Sequence, residues 1–402
     1  MEQIVEYNPK EKFKKTSTEK KFSIQFLPES LSSFSQSEFF DFKEKKLKSA
    51  YVIDLVHTLI LKYYFKKENL FHLSSLILKD KYGYLYNYYI EWMTQNNILE
   101  LVYNYQKGKN TRVYKLHDVI ISGKINRYKN FDKVLLKKYK SAISDVESEK
   151  QSSNKILPEI KSKLINDLYS VEIQYEKSIY FLDSTLQDID IYNRNKYSVE
   201  CIKQNQLFYH FDDFGRFHTN FTILKSFIRK NCLKIDGDET IEFDIKNSQP
   251  LFLNLIINQE ENVIEQNELE LFRLLTIKGL FYDYLIENSN IKEKKTIKEC
   301  IYKVFFGKNS NNKCDKFFKK FFPSIYDFIK EYKNKNKNYK ILAHRLQYLE
   351  SNLIFNKIVK ELADSHPEIK LITIHDSIVC AKKHKEIVQK IFFEKIYQEF
   401  NF

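Results

Sequence analysis

The stretch Ile372–Cys380, ITIHDSIVC, sets His375, Asp376 and Ser377 into an apolar run that begins at Leu371. Ile372, Ile374, Ile378 and Val379 are β-branched and the run is short, a pattern that predicts a buried strand or hairpin rather than a helix. A carboxylate buried without a partner is costly, so Asp376 belongs at an exposed turn, beside a base, or on a cation. His-Asp pairs are common in plain turns, and the stretch by itself leaves those readings open.

A second acid sits in a similar setting. Asp244 ends the alternating strand pattern TIEFD, Thr240–Asp244, before Ser248, Gln249 and Pro250 open the next element. Two carboxylates at the ends of adjacent strands suit a pair of Mg²⁺ ions, with Mn²⁺ as a substitute, because such ions take oxygen ligands and clamp the oxygens of an in-line phosphoryl transfer. That chemistry also needs fixed cations for a triphosphate. Between the two acids, the segment IKEKKTIKECIYKVFFGKNS predicts a helix in which Lys294, Lys298, Tyr302 and Phe306 recur every fourth residue as one stripe. Ile297, Ile301 and Val304 make the neighbouring apolar stripe, and Gly307 stops the helix. A lysine stripe taken alone reads as a solvated face.

The order of these elements resembles motifs A, B and C of the single-subunit palm polymerases, the family A DNA polymerases and the phage-type RNA polymerases. The likeness rests on Asp244, on the Lys294, Lys298, Tyr302, Phe306 and Gly307 series, and on His375-Asp376-Ser377. A fourth match lies upstream in FDDFGRFHTNFTILKSFIRK, where Asp212-x2-Gly215-Arg216 is similar to an element that precedes motif A in those families. The resemblance runs from Phe208 to the C-terminus and departs from the family at Lys294, where an arginine is usual, and at Phe306, where a tyrosine is usual. It implies an α+β fold, with a small antiparallel palm sheet and helical fingers, and a template-directed nucleotidyltransferase that uses nucleoside triphosphates; no convincing Asp-x-Glu exonuclease cluster stands upstream, so no proofreading is expected. Asp244 and Asp376 would bind the metal ions, with the backbone carbonyl of Ile245 a further ligand. Lys298, beside Lys294, would neutralise the incoming triphosphate and assist the departure of pyrophosphate, while Arg216, His375 and Gln347 would touch template or primer, for which DNA is the favoured nucleic acid.

The sugar is read from two positions. In RNA-synthesising relatives a tyrosine before the glycine recognises a ribose hydroxyl, and Phe306 lacks that group; in DNA-synthesising relatives a glutamate crowds the 2′ position, and here Gln249 stands there. Both favour deoxynucleotides, although a lost neutral hydrogen bond is worth only about 1 kcal/mol, roughly fivefold. Ser377 after His-Asp and the spacing from Asp244 to Ser248 are instead similar to the RNA polymerases. An RNA polymerase or primase on the same palm is therefore the alternative, and a non-catalytic replication initiator or regulator is a second one.

Composition agrees with a folded, basic chain. The 402 residues carry 66 Lys plus Arg against 53 Asp plus Glu, a formal charge of +13, which points to a polyanionic partner or to a Lys-rich solvated surface. Five cysteines make no CxxC pair and fit a reducing cytoplasm. No apolar run predicts a membrane span, and no signal peptide is expected. Residues 1–49 predict a flexible basic arm. Residues 50–120 resemble a winged helix-turn-helix domain, with helices in AYVIDLVHTLILKYYF and LSSLILKDKYGYLYNYYIEWMTQNN followed by a hairpin that carries Lys107, Lys109 and Arg112 toward phosphate. Residues 121–207 predict a helical, thumb-like linker, and 208–402 the catalytic domain.

Overall fold

The computed structural model describes residues 23–32, 34, 37–106, 111–138, 155–260, 264–335 and 337–400. The chain is a mixed α+β protein in two units, one of Met1–Glu149 with Leu186–Tyr197 and the other of Lys150–Thr185 with Ser198–Phe402.

In the first unit, β1 (Ser23–Pro28) pairs antiparallel with a strand a hundred residues away, Ile125–Asn130, and β2 (Phe39–Phe42) forms a hairpin with β3 (Lys45–Lys48). This corrects the expected arm. From Ser23 onward the segment is built into the fold, because Phe26, Leu27 and Leu47 are buried and the partner of β1 is too distant in sequence to be seen locally. Residues 1–22 lie outside the described residues.

The helix Ser49–Leu61 follows, with Val52, Ile53, Val56 and Leu59 wholly buried on one face. Its Asp54 is also wholly buried, and three donors hold it: Gln25 Nε2 at 2.7 Å, Tyr82 OH at 2.6 Å and Lys81 Nζ at 2.6 Å. The second expected helix is two, Ser75–Tyr82 and Tyr86–Gln95, interrupted at Gly83. Around them β4 (Phe71–His72), β5 (Leu99–Tyr103) and β6 (Val113–Leu116) form a three-stranded antiparallel sheet in the order β4-β6-β5. Arg112 is exposed beside β6, whereas Lys107 and Lys109 fall outside the described residues. The unit continues through β7 (Ile125–Asn130) and past the expected boundary at 120.

The second unit starts well before residue 208. Its sheet has the order β13-β14-β12-β11-β8, every pairing antiparallel, from β8 (Val171–Ile173), β11 (Leu233–Ile235), β12 (Asp238–Asp244), β13 (Leu371–Ile374) and β14 (Ser377–Ala381). A separate hairpin joins β9 (Tyr209–Phe211) to β10 (Phe217–Thr219). Strand β8 sits inside a region expected to be all helix; at three residues it is too short to show a period. All nine residues of β13 and β14 are buried, which is why they read as continuous apolar runs. Asp167 anchors the start of β13 by accepting Leu371 N–H at 3.0 Å, and the helix Lys385–Phe400 covers the sheet with Val388 and Phe392.

Between β12 and β13 the chain is helical and packs around phenylalanines. Phe272, Phe281, Phe305, Phe318 and Phe322 have no exposed surface, each contributing about 1.5–3 kcal/mol by burial. A disulfide ties Cys300, on the helix Lys294–Phe306, to Cys314, on the helix Lys313–Phe321, while Cys201, Cys232 and Cys380 are buried thiols. Pairing at a separation of 14 residues was not readable as a motif, and it corrects the picture of a fully reduced cysteine set. Closing a loop of that length stabilises by about 3 kcal/mol. Reduction, or Cys300→Ser with Cys314→Ser, should lower the denaturant midpoint accordingly; an unchanged midpoint in reductant would show the bond contributes nothing. Among the described residues, no helix is long and apolar enough to cross a membrane.

Candidate active site

Strand register brings the two aspartates together. In the β12/β14 ladder Asp244 stands opposite Ser377, so Asp376 is the next residue beyond the pair, and Ile245 N–H donates to the Asp376 carbonyl at 3.3 Å. Opposed residues in such a ladder are about 4.5–5.5 Å apart at Cα, which makes the two acids near neighbours although they are far apart in sequence. The link between β13 and β14 is only His375 and Asp376, and His375 takes the left-handed conformation (φ 54°) that a tight two-residue hairpin requires. The turn therefore explains the polar interruption in the apolar run.

Two further carboxylates face this pair. Glu242, two residues before Asp244 on the same side of β12, meets the Ser377 hydroxyl at 2.9 Å and the Arg229 guanidinium at 3.3 Å. Glu350, on the helix Ile341–Ser351, is only 2% exposed and accepts from Arg216 Nη2 at 2.8 Å, from Ser248 Oγ at 2.8 Å and from Gln249 Nε2. Burial, then the Glu242 charge, raises the Asp244 carboxyl above its ordinary range, with Lys298 and Lys230 working against the rise. Asp376 is raised well above the carboxylate range, first by burial and then by Glu350 and Asp244.

Such repulsion is relieved by protonation or by a cation. The residues present fit a hard divalent ion: the donors are carboxylate oxygens, and Glu242 Oε2 is buried without a hydrogen-bond partner. Among the described residues, no set of three or more His, Cys, Asp or Glu side chains closes around a metal by itself. Mg²⁺ usually takes one or two carboxylates and fills its remaining positions with water and substrate phosphate.

The other expected site residues divide. Lys298 is exposed, its charge reaches Asp244, and its ammonium lies 5.4 Å over the Tyr282 ring. Burial, then the Asp376 and Glu350 charges, pushes the Tyr302 phenol upward, and its ring stacks on Phe306 at 5.4 Å. Lys294, one turn before Lys298, instead bonds Asp283 at 2.7 Å on the surface. Gly307 is obligatory where it stands, since a Cβ there would meet the Lys303 carbonyl oxygen at 2.4 Å.

Gln249 is buried against Glu350 rather than open to a ligand, and Ile245 is buried, contributing its N–H to the Asp376 turn. Gln347 is half-buried one turn before Glu350, and the hydrogen bonds come from Glu350. Glu350 escaped the sequence reading. Its signal was an acid placed between Leu346, Leu349 and Leu353 on the packing face of a helix, where an ion needs partners.

The Asp212-x2-Gly215-Arg216 element is the loop of the β9/β10 hairpin. Asp212 accepts Phe214 N–H and Arg216 N–H at 2.9 Å each and meets His218 Nε2 at 3.0 Å; these bonds, the His218 one foremost, outweigh burial and hold its carboxyl below the usual range. Gly215 adopts φ 87°, a conformation that costs L side chains energy. The loop aims Arg216 at Glu350, with its Nε buried and unpartnered. His375 packs its ring at 5.9 Å from His218, and burial, then the positive Arg216, pulls its imidazole down to about 4, so it is neutral near pH 7.

No protein-family model matches the chain, and no curated protein matches it.

Proposed function

We propose that Asp244 and Asp376 form the metal-binding centre of a template-directed nucleotidyltransferase, a compact palm polymerase that lacks proofreading. The observation that carries this reading is the β12/β14 register, which makes neighbours of two acids whose charged forms are disfavoured until a cation arrives. Two Mg²⁺ ions held by these carboxylates, with the Ile245 carbonyl as a further ligand, would neutralise charge and align the attacking and leaving oxygens.

The chain's own residues do the rest. Lys298 supplies a fixed ammonium near Asp244 for the triphosphate, and the Tyr302–Phe306 stack offers an aromatic wall to the nucleoside. Arg216 is held by Glu350 in the free protein and is the cation suited to a strand phosphate, while neutral His375 beside it adds no charge. Lys294, bound to Asp283, is the weaker candidate for the triphosphate.

In the first unit, three helices and a sheet in the order β4-β6-β5 support the winged-helix reading, in which the exposed Arg112 lies at the base of the wing and meets nucleic-acid backbone. Phe306 supports deoxynucleotides, whereas Gln249 lends little to that choice because Glu350 occupies its amide.

Primer extension with Mg²⁺ on a DNA template, with dNTPs and NTPs in separate reactions and with and without primer, tests the proposal. Incorporation is expected, with dNTPs ahead by roughly fivefold. Faster NTP use would assign the RNA polymerase or primase alternative, and binding with no incorporation of either would favour the initiator or regulator.

A further inference from the structure

Two Lys/Asn-rich segments, Lys308–Lys316 and Glu331–Lys340, are unremarkable as separate stretches of sequence. In the fold they converge. Asn309 Nδ2 donates to the Lys330 carbonyl at 3.0 Å and to Asn334 Oδ1 at 2.8 Å, fastening one segment to the other. Between them lies an open cavity of about 320 Å³ lined by Lys308 and Asn309 from the first and by Lys333, Asn334, Lys337 and Tyr339 from the second.

The lysines in this lining are not equivalent. Lys333 is 3% exposed and its ammonium donates to the Val304 carbonyl at 2.5 Å and the Gly307 carbonyl at 2.8 Å, so its charge caps the C-terminus of the helix Lys294–Phe306. Lys308 and Lys337 are exposed, and no acidic side chain of a described residue lines the cavity with them. Tyr339, half-buried, has Lys308 at 5.5 Å and Lys340 at 5.8 Å from its ring centre. Capping accounts for Lys333 and leaves the exposed ammoniums and the ring unexplained. An aromatic face flanked by lysines in a cavity of nucleotide size is the combination that holds single strands, with phosphates on the cations and a base on the ring.

We propose that this cavity binds single-stranded nucleic acid, through phosphate contacts to Lys308 and Lys337 and base stacking on Tyr339. Neither Asp244 nor Asp376 lines the cavity, and binding there does not depend on catalysis.

The test is fluorescence anisotropy of a labelled oligo-dT with the full chain in EDTA, across a salt series. Lys308→Ala with Lys337→Ala should flatten the slope of log K against log salt by about 1.4, the share of two single-strand phosphates. Tyr339→Ala should weaken binding by about 5- to 100-fold, and Lys308→Arg with Lys337→Arg should keep the wild-type slope. Binding in EDTA is read independently of nucleotide incorporation, so wild-type binding with no primer extension would sink the catalytic reading and leave this one standing, whereas extension with an unchanged slope in the double alanine variant would do the reverse. Slopes unchanged in the double alanine variant, with its far-UV spectrum and melting temperature intact, would overturn the proposal. Equal competition by mononucleotide and oligonucleotide, at matched phosphate, would overturn it too by assigning a free-nucleotide site.

Discussion

Asp376→Asn is expected to reduce nucleotide incorporation by about 10³-fold or more and, in EDTA, to raise the melting temperature of the same protein at pH 8. Both effects have one cause. Asp376 lies in a half-buried turn facing Asp244 and Glu350, so its folded-state pKa is above the unfolded value. A group raised in this way stabilises the fold fully below its unfolded pKa, about 4, and that contribution is lost as pH rises through the folded value. The cation-free wild type should therefore lose stability between about pH 5 and pH 8, whereas the asparagine variant, with no charge at this position, loses less. At about 1.4 kcal/mol for each pH unit separating the two pKa values, the difference amounts to several degrees. Saturating Mg²⁺ should restore the wild type and leave the variant unmoved. A variant that melts lower than wild type at pH 8 in EDTA would mean that Asp376 serves the fold as an anion.

Glu350→Ala should be the most destabilising single change around the site, by about 3–5 kcal/mol in urea denaturation, because it leaves the Arg216 guanidinium enclosed without its counter-charge. Ser248 and Gln249 lose their acceptor at the same time. Glu350→Gln keeps the shape but turns an amide N–H₂ toward another donor, and is expected to cost about 1–3 kcal/mol. It should also lower the pH at which Asp376 ionises, since Glu350 is the largest charge acting on that group. A loss below about 1 kcal/mol for the alanine variant, the range of an exposed pair, would contradict the assignment of Glu350 as the anchor of Arg216.

The parts of the fold that could be read from the sequence are those with local causes. The β-branched run around His375-Asp376, the alternation that ends at Asp244 and the apolar stripe of Ile297, Ile301 and Val304 each encode an element by their own spacing, and all three elements form where that spacing puts them. Glycine is scarce, with seven in the chain, and Gly215 and Gly307 both stand where backbone geometry requires them.

What escaped has distant causes. Strand β1 depends on β7, the short β8 depends on the sheet it joins, and the Cys300–Cys314 bond depends on how two helices meet. Glu350 is the instructive case. Its neighbours in sequence marked it as buried, but only tertiary packing brings Arg216 and Ser248 to it from positions more than a hundred residues upstream. Periodicity reports which face is inside and says nothing of which inside faces meet.

The most direct test of the account is a calorimetric titration of Mn²⁺ into the full chain, set beside the same titration of the Asp244→Asn, Asp376→Asn double variant. The carboxylate pair is expected to give saturable binding in the wild type and at least tenfold weaker binding in the variant, with the wild-type affinity falling as pH drops and the acids protonate. Indistinguishable isotherms for the two proteins, or no heat above dilution in the wild type at pH 8, would contradict the claim that these acids meet in order to hold divalent ions.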